Sequence, residues 1–354
     1  MGEPRKAEVV ALDEARARPS RSRRRTRTPS SFDDRLRALE DEVEQALAAT
    51  GGAPERDRSV AEAVETLLDG YARLARAVGE SRPAGAVAAL IRGSRTFEVD
   101  PFGYDRAYEE SVAPLFRGLY RSWWRVETAG IENVPAEGRA LLVGNHAGGL
   151  FAYDGAMLKV ALLDEHPSQR NARPLVDDFV YQLPFIGDFM TRCGGVRASM
   201  QNAERLLRQD QAVVVFPEGT KGIGKSFEKR YQLARFGRGG FVRLALRTGS
   251  PVIPVAIVGS EEIHPILARW EWLARQIGLP YFPITPTFPW LGLLGLVPLP
   301  SKWRIEFGTP FDWSAHGPDA ADDRILVSRL TEEVRSRVQH MLVGALDRRG
   351  PAFF

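Results

Sequence analysis

The sequence predicts an α/β fold: a mixed, largely parallel sheet flanked by helices, preceded by a helical N-terminal region and a disordered basic tail. Three observations predict it. From Gly138 onward, short apolar runs alternate with helical stretches, the pattern of a sheet buried between helices. The 354 residues are 44% apolar and 26% charged, which is enough for a core of ordinary size. Basic charge is concentrated at the start: residues 1–31 hold nine basic and four acidic side chains, while the whole chain nets only +3. The remainder is close to neutral, which argues against a nucleic-acid enzyme. The lone Cys193 excludes a disulfide scaffold and points to a reducing compartment. No apolar run suited to a secretory signal follows the start.

Along the chain, residues 1–31 include seven Arg between Arg16 and Arg27, mixed with Ser, Thr and Pro. Such a segment buries too little to offset its ordering entropy, so a disordered Arg-rich tail is expected, with anionic headgroups as a natural partner. Residues 32–100 read as helical. Leu36, Leu39, Val43 and Leu47 form one amphipathic repeat, and Val60, Val64, Leu67, Leu68, Tyr71, Leu74 and Val78 form another. Residues 101–354 make the main domain. Its first helix is expected between Glu110 and Val126, where Trp123 and Trp124 lie beside a row of Arg117, Arg121 and Arg125. That flank suits either a bilayer interface or the domain core.

Strands are expected at Ala140–Val143, Pro174–Val176, Ala212–Phe216, Val252–Val258 and Trp303–Phe307. Helices are expected at Gly155–Leu163, Met200–Arg208 and Phe241–Arg247. Two prolines in 251–256 mark that strand as an edge or as an irregularity shaped by a ligand. A closing amphipathic helix carries Leu326, Leu330, Val334, Val338, Met341 and Leu342, with Asp319, Asp322 and Asp323 at its start and Arg348 and Arg349 at its end. Residues 276–301 contain no charged residue, and six prolines forbid a continuous helix there. With Tyr281, Phe282, Phe288 and Trp290, that segment can cover a hydrophobic groove or dip into a bilayer surface.

Four clusters could do chemistry. Asn145-His146, followed by glycines and by Asp154, leaves the C-terminal end of a strand, where α/β sheets bind ligands. His accepts a proton near neutral pH, and a carboxylate on its other ring nitrogen would orient it; alone, the pair also fits a structural histidine. Arg197, after Gly194-Gly195, could hold a phosphate. Phe216-Pro217-Glu218-Gly219-Thr220-Lys221 leaves a strongly apolar strand. The fourth cluster is the Pro-containing strand at 252–256.

Taken in order, these clusters resemble the four blocks of the glycerolipid acyltransferase family, whose members acylate glycerol-3-phosphate and lysophospholipids. The resemblance spans roughly residues 115–310. It implies an acyltransferase domain at 101–354 with His146 and Asp154 catalytic and with Arg197, Glu218, Gly219, Thr220 and Lys221 binding the acceptor. Two departures stand out. Seven residues separate His146 from Asp154 where the family usually has four, so the pair requires a bulged loop. Lys221 stands where many members carry Arg, which keeps the charge but loses the bidentate fork.

A rival motif overlaps the third block. Gly219 to Ser226 satisfies G-x-x-x-x-G-K-S, the phosphate loop of nucleotide hydrolases. Glu218 beside it would repel a triphosphate, and the polar residues after Ser226 do not suit the buried helix that follows such a loop. No nucleophile elbow appears. His166, His264, His316 and His340 show no metal-ligand spacing, so neither a metal nor a bound cofactor is expected. The resemblance therefore implies acyl transfer from acyl-CoA or acyl carrier protein to a lysophospholipid or related lipid alcohol. It would take place on the cytoplasmic, inner face of a membrane, with no nucleic-acid partner. The alternatives are a neutral acceptor such as monoacylglycerol, the nucleotide hydrolase, and a non-enzymatic membrane-binding protein.

Overall fold

A computed structural model describes residues 99–147, 153–182, 186–276 and 281–353 of the protein. The expected tail at 1–31 and nearly all of the helical region at 32–100 lie outside the described residues. Within them, seven strands form one sheet: β1 (Glu127–Ala129), β2 (Ala140–Gly144), β3 (Ala172–Val176), β4 (Val196–Arg197), β5 (Ala212–Val215), β6 (Val252–Val258) and β9 (Arg304–Phe307), in the order β1-β9-β6-β2-β5-β3-β4. β7 (Ala268–Arg269) and β8 (Pro283–Ile284) form a separate two-stranded hairpin. Neighbours pair in parallel in the large sheet except β6 and β9, so the sheet is mixed and largely parallel.

The strands are apolar throughout because both faces of the sheet are covered. Every residue of β2 and β6 is buried. Alternate side chains then divide between two cores. Leu141, Val143, Val252, Ala256 and Val258 pack on one face against α4 (Met200–Arg208), α5 (Gly240–Thr248) and the C-terminal α6 (Arg324–Arg349). Leu142, Val214, Ile253, Val255 and Ile257 pack on the other against α2 (Tyr153–Asp164) and the Trp123-Trp124 segment. α2 is buried along nearly its whole length, as its lack of a polar face requires.

Helix ends follow local chemistry. Ser199 caps α4 by accepting from Asn202 N–H, and Asp323 caps α6 by accepting from the N–H groups of Ile325 and Leu326. α1 (Arg106–Gly118) begins earlier than its apolar repeat predicts, because Asp105 is its cap and accepts from Tyr108 N–H at 2.9 Å. A single π turn over Leu119–Trp123 then swings the two tryptophans inward. α3 (Ile186–Arg192) precedes β4.

Two alternatives left open by the sequence are settled here. The Trp123-Trp124 flank packs on the domain core. Both indoles are buried and donate to the carbonyls of Pro298 and Leu299 at 3.0 Å, while Arg117 and Arg121 pair with Asp164 on α2. The β6 strand is not an edge strand, since it lies between β2 and β9. Pro254 is accommodated because the ladder to β9 ends at Val255–Phe307 and resumes only at the Val252–Phe311 bridge. Gly308 N–H donates to the Pro254 carbonyl in the gap.

Trp124 stacks on Trp303 with ring centroids 4.8 Å apart and meets the edge of Tyr153, the first residue of α2, at 5.1 Å. This cluster fixes where α2 starts. Trp124→Ala is expected to cost about 3–5 kcal/mol of unfolding free energy, measured by chemical denaturation.

Candidate active site

The parallel strands β2, β3, β4, β5 and β6 deliver their C-terminal ends to one edge of the sheet, and the segments leaving them build the site. Asn145 leaves β2 and spans to β6. Its side-chain amide donates to Ile257 O at 2.9 Å, and its carbonyl accepts from Ile257 N–H at 2.8 Å. That double bond extends the ladder by one side chain and sets the exit direction of His146.

His146 Nδ1 lies 2.7 Å from Asp154 Oδ2. Residues 148–152 lie outside the described residues, but the two ends they join are in contact. Asp154 is completely buried in the first turn of α2. Its Oδ2 also accepts from Ala147 N–H at 2.8 Å, and its Oδ1 accepts from Gly155 N–H at 2.8 Å. Burial pushes this carboxyl up, but the His146 ring and the backbone donors outweigh it and hold the group below its ordinary value. An ionised carboxylate only accepts hydrogen bonds, so Nδ1 carries a hydrogen, and in the neutral imidazole Nε2 then presents a lone pair. The imidazole lies flat on Phe216, with centroids 4.6 Å apart and planes 9° from parallel.

Glu218 is engaged within the protein: one oxygen accepts from His146 N–H at 3.0 Å and the other from Ala234 N–H at 2.6 Å, and Lys225 Nζ is 3.2 Å away. Glu218 is thus a positioning residue that ties the loop after β5 to the backbone of His146. Gly219 adopts a positive φ of 56°, where a side chain would strain the backbone, and starts a single helical turn over Thr220–Ile223. Gly222 is confined: a Cβ there would stand 2.6 Å from His146 O. Thr220 is half-buried and Lys221 is exposed.

The phosphate-loop reading of Gly219–Ser226 does not survive this geometry. Its lysine, Lys225, is held between the carboxylates of Glu218 and Glu261, 3.2 and 3.1 Å away, instead of facing an open anion site. The helical turn also stops at Gly224 and leads into no long helix. Arg197 is not brought to His146 either. It ends β4 at the sheet's edge, three strand spacings or about 14 Å from β2. There its Nε pairs with Asp178 at 2.6 Å, and the side chain is 61% exposed. Cys193 is no nucleophile, because burial and the nearby Glu109 push its thiol up to about 12.

Sequence reasoning missed Glu261. It follows β6 at the same sheet edge and lines a small cleft with Ala147, Gly222, Lys225 and His264. Its position after an apolar strand was the available signal. Burial pushes its carboxyl up to about 7 against the pull of Lys225.

A sequence profile of the Acyltransferase family matches residues 125–258. An uncharacterized protein of Mycobacterium tuberculosis is 46% identical over 313 residues, which is 84% of this chain and 87% of that one. The bovine protein described as a DGAT1/2-independent enzyme synthesizing storage lipids is 22% identical over 236 residues, 66% of this chain and 64% of that one. The crystal structure of the 1-acyl-sn-glycerophosphate acyltransferase PlsC from Thermotoga maritima superposes with a TM-score of 0.43 at 18% identity, over 67% of this chain and 81% of that one. The chain belongs to the Acyltransferase family.

The Glu261 pair generates a pH prediction. A carboxyl raised from an ordinary 4.5 to about 7 keeps its proton in the folded state where the unfolded chain has released it. Its favourable contribution is therefore full below the unfolded value and is lost as pH rises through the folded one. Unfolding free energy is expected to fall between about pH 5 and pH 8. Denaturant titrations of Glu261→Gln should give a flatter profile over the same range.

Proposed function

We propose that the protein transfers a fatty acyl group from a thioester, acyl-CoA or acyl carrier protein, to a hydroxyl of a lysoglycerophospholipid at the inner, cytoplasmic face of a membrane. The observation that carries this reading is the 2.7 Å contact between His146 and Asp154 at the C-terminal edge of the sheet, within a chain of an acyltransferase family.

In this reading His146 Nε2 takes the proton of the acceptor hydroxyl as its oxygen attacks the thioester carbonyl carbon. The C–O bond forms, the C–S bond breaks, and the proton passes from the imidazolium to the departing thiolate. Asp154 is a positioning residue that keeps Nε2 unprotonated and stabilises the imidazolium while it lasts. General-base assistance of this kind is worth about 10²–10⁴-fold. Phe216 and Glu218 hold the ring plane and the loop, so the base meets the acceptor in one orientation.

A second acceptor class has a specific observation in its favour. Arg197 is engaged with Asp178, and Lys225 with two carboxylates. Lys225 is thus held by the protein itself, Arg197 sits in an exposed pair away from His146, and Lys221 remains the exposed basic residue of the third block. A neutral lipid alcohol such as monoacylglycerol needs none of them. The bovine relative, an enzyme synthesizing storage lipids, is in keeping with that class.

With labelled acyl-CoA and a panel of acceptors, His146→Ala is expected to abolish transfer, and Asp154→Asn to lower kcat by about 10²–10⁴-fold with a smaller change in KM. Undiminished transfer by His146→Ala would remove it from the mechanism. On the same panel, Arg197→Ala separates the acceptors. A rise in KM for lysophosphatidate alone supports a phosphate site, whereas unchanged kinetics with activity on monoacylglycerol supports the neutral class.

A further inference from the structure

The segment between β6 and β9 leaves the sheet and carries an exposed apolar surface. Among the described residues, nine large apolar side chains are exposed, and five of them fall here: Leu267, Trp270, Trp272, Trp290 and Leu291, each 37–63% exposed. The division of the tryptophans is sharp. Trp123, Trp124, Trp303 and Trp313 are buried, and the other three of the chain's seven all lie on this excursion.

These side chains belong to two described stretches, 267–276 and 281–291, that are hydrogen-bonded to each other. Leu267 and Trp270 flank β7, whose partner β8 is paired through Leu267 N–H to Ile284 O and Trp270 N–H to Phe282 O, both at 2.9 Å. The Phe282 ring rests against Phe288 at 5.3 Å, and Leu291 N–H closes the following turn on Thr287 O. The hairpin is rooted on the catalytic loop. Tyr281 Oη donates to Ile223 O at 3.1 Å, Phe227 N–H donates to Ile266 O at 2.8 Å, and Ile223, Ile266 and Tyr281 form a small core of their own. The patch is therefore anchored to the loop that leaves Glu218 and lies against His146.

We infer that the exposed Trp270–Trp272–Trp290 surface of this hairpin docks on a lipid bilayer and holds the catalytic edge of the sheet against it. This rests on the proposed lipid acceptor. Three observations select a bilayer over a protein partner. The exposed aromatics are indoles, which favour the headgroup level because one end is apolar and the other donates a hydrogen bond. Residues 267–301 contain two Arg and a single Glu, with no charge after Arg275, so the net charge of +1 favours an anionic leaflet. The hairpin is also bonded to the loop that lies against His146, the proposed base. No helix among the described residues is long and apolar enough to cross a membrane, so the contact proposed is interfacial.

The test uses the full chain and vesicles of phosphatidylcholine with phosphatidylglycerol, some of them built with phosphatidylcholine brominated near the top of its acyl chains. Wild type should sediment with the vesicles, and bromine should quench its tryptophan emission. Trp270→Ala/Trp272→Ala should weaken partitioning by about tenfold and lose most of the quenching, while keeping turnover of a water-soluble short-chain acceptor. Leu267→Glu provides a second variant at an exposed position, expected to weaken partitioning in the same direction. Unchanged partitioning by both variants would overturn the proposal, as would vesicle binding of wild type without quenching. Loss of self-association in the variants with vesicle binding intact would assign the patch to a second copy and overturn it as well. Binding is read without turnover, so an inactive catalytic pair and a failed membrane contact give different results.

Discussion

A carboxylate with no access to water survives only if both of its oxygens are answered by donors. Asp154 meets that condition with the imidazole of His146 and the backbone N–H groups of Ala147 and Gly155. Removing those partners would leave a buried charge, so the fold around α2 is constrained to deliver them together. The tautomer of His146, and hence its capacity to take a proton, follows from the same constraint.

Much of the molecule can be understood as what fixes that contact. The Trp124–Trp303 stack and Tyr153 hold the start of α2, and with it Asp154, against the sheet. From the other side, Asn145 pins the end of β2 to β6, Glu218 ties His146 N–H to the loop after β5, and Phe216 supports the ring. The Glu218–Lys225–Glu261 cluster joins the ends of β5 and β6, using a cation that would otherwise look like a ligand-binding lysine. Charge that the sequence offers to a substrate is spent, in the folded chain, on holding the base still.

The sheet was legible in the sequence because its strands are buried on both faces and so appear as unbroken apolar runs. The limits expected for β2, β5, β6 and β9 lie within a residue of those observed, and α4 coincides with its expected span. Short polar edges were not legible: β1 and β4 hold three and two residues and carry little hydrophobic signal. The His146 and Asp154 positions could be read from their block, but the contact across seven residues depends on where α2 begins, which the distant aromatic stack decides. Pairings between separate strand ends were hidden for the same reason. Glu218, Lys225 and Arg197 are each claimed by a partner, and in Glu218 and Lys225 by partners from another strand end, which no local spacing reveals. Trp123 and Trp124 were ambiguous because an amphipathic flank looks the same whether oil or protein covers it.

The central claim is that Asp154 holds the Nδ1 hydrogen of His146 and leaves Nε2 bare. Nitrogen NMR of the protein labelled at its five histidines, with His146 assigned by difference against His146→Gln, measures this directly. The account predicts the Nδ1–H tautomer for neutral His146, converting to the Nε2–H form in Asp154→Ala. An Nε2–H tautomer in the wild-type protein would contradict it.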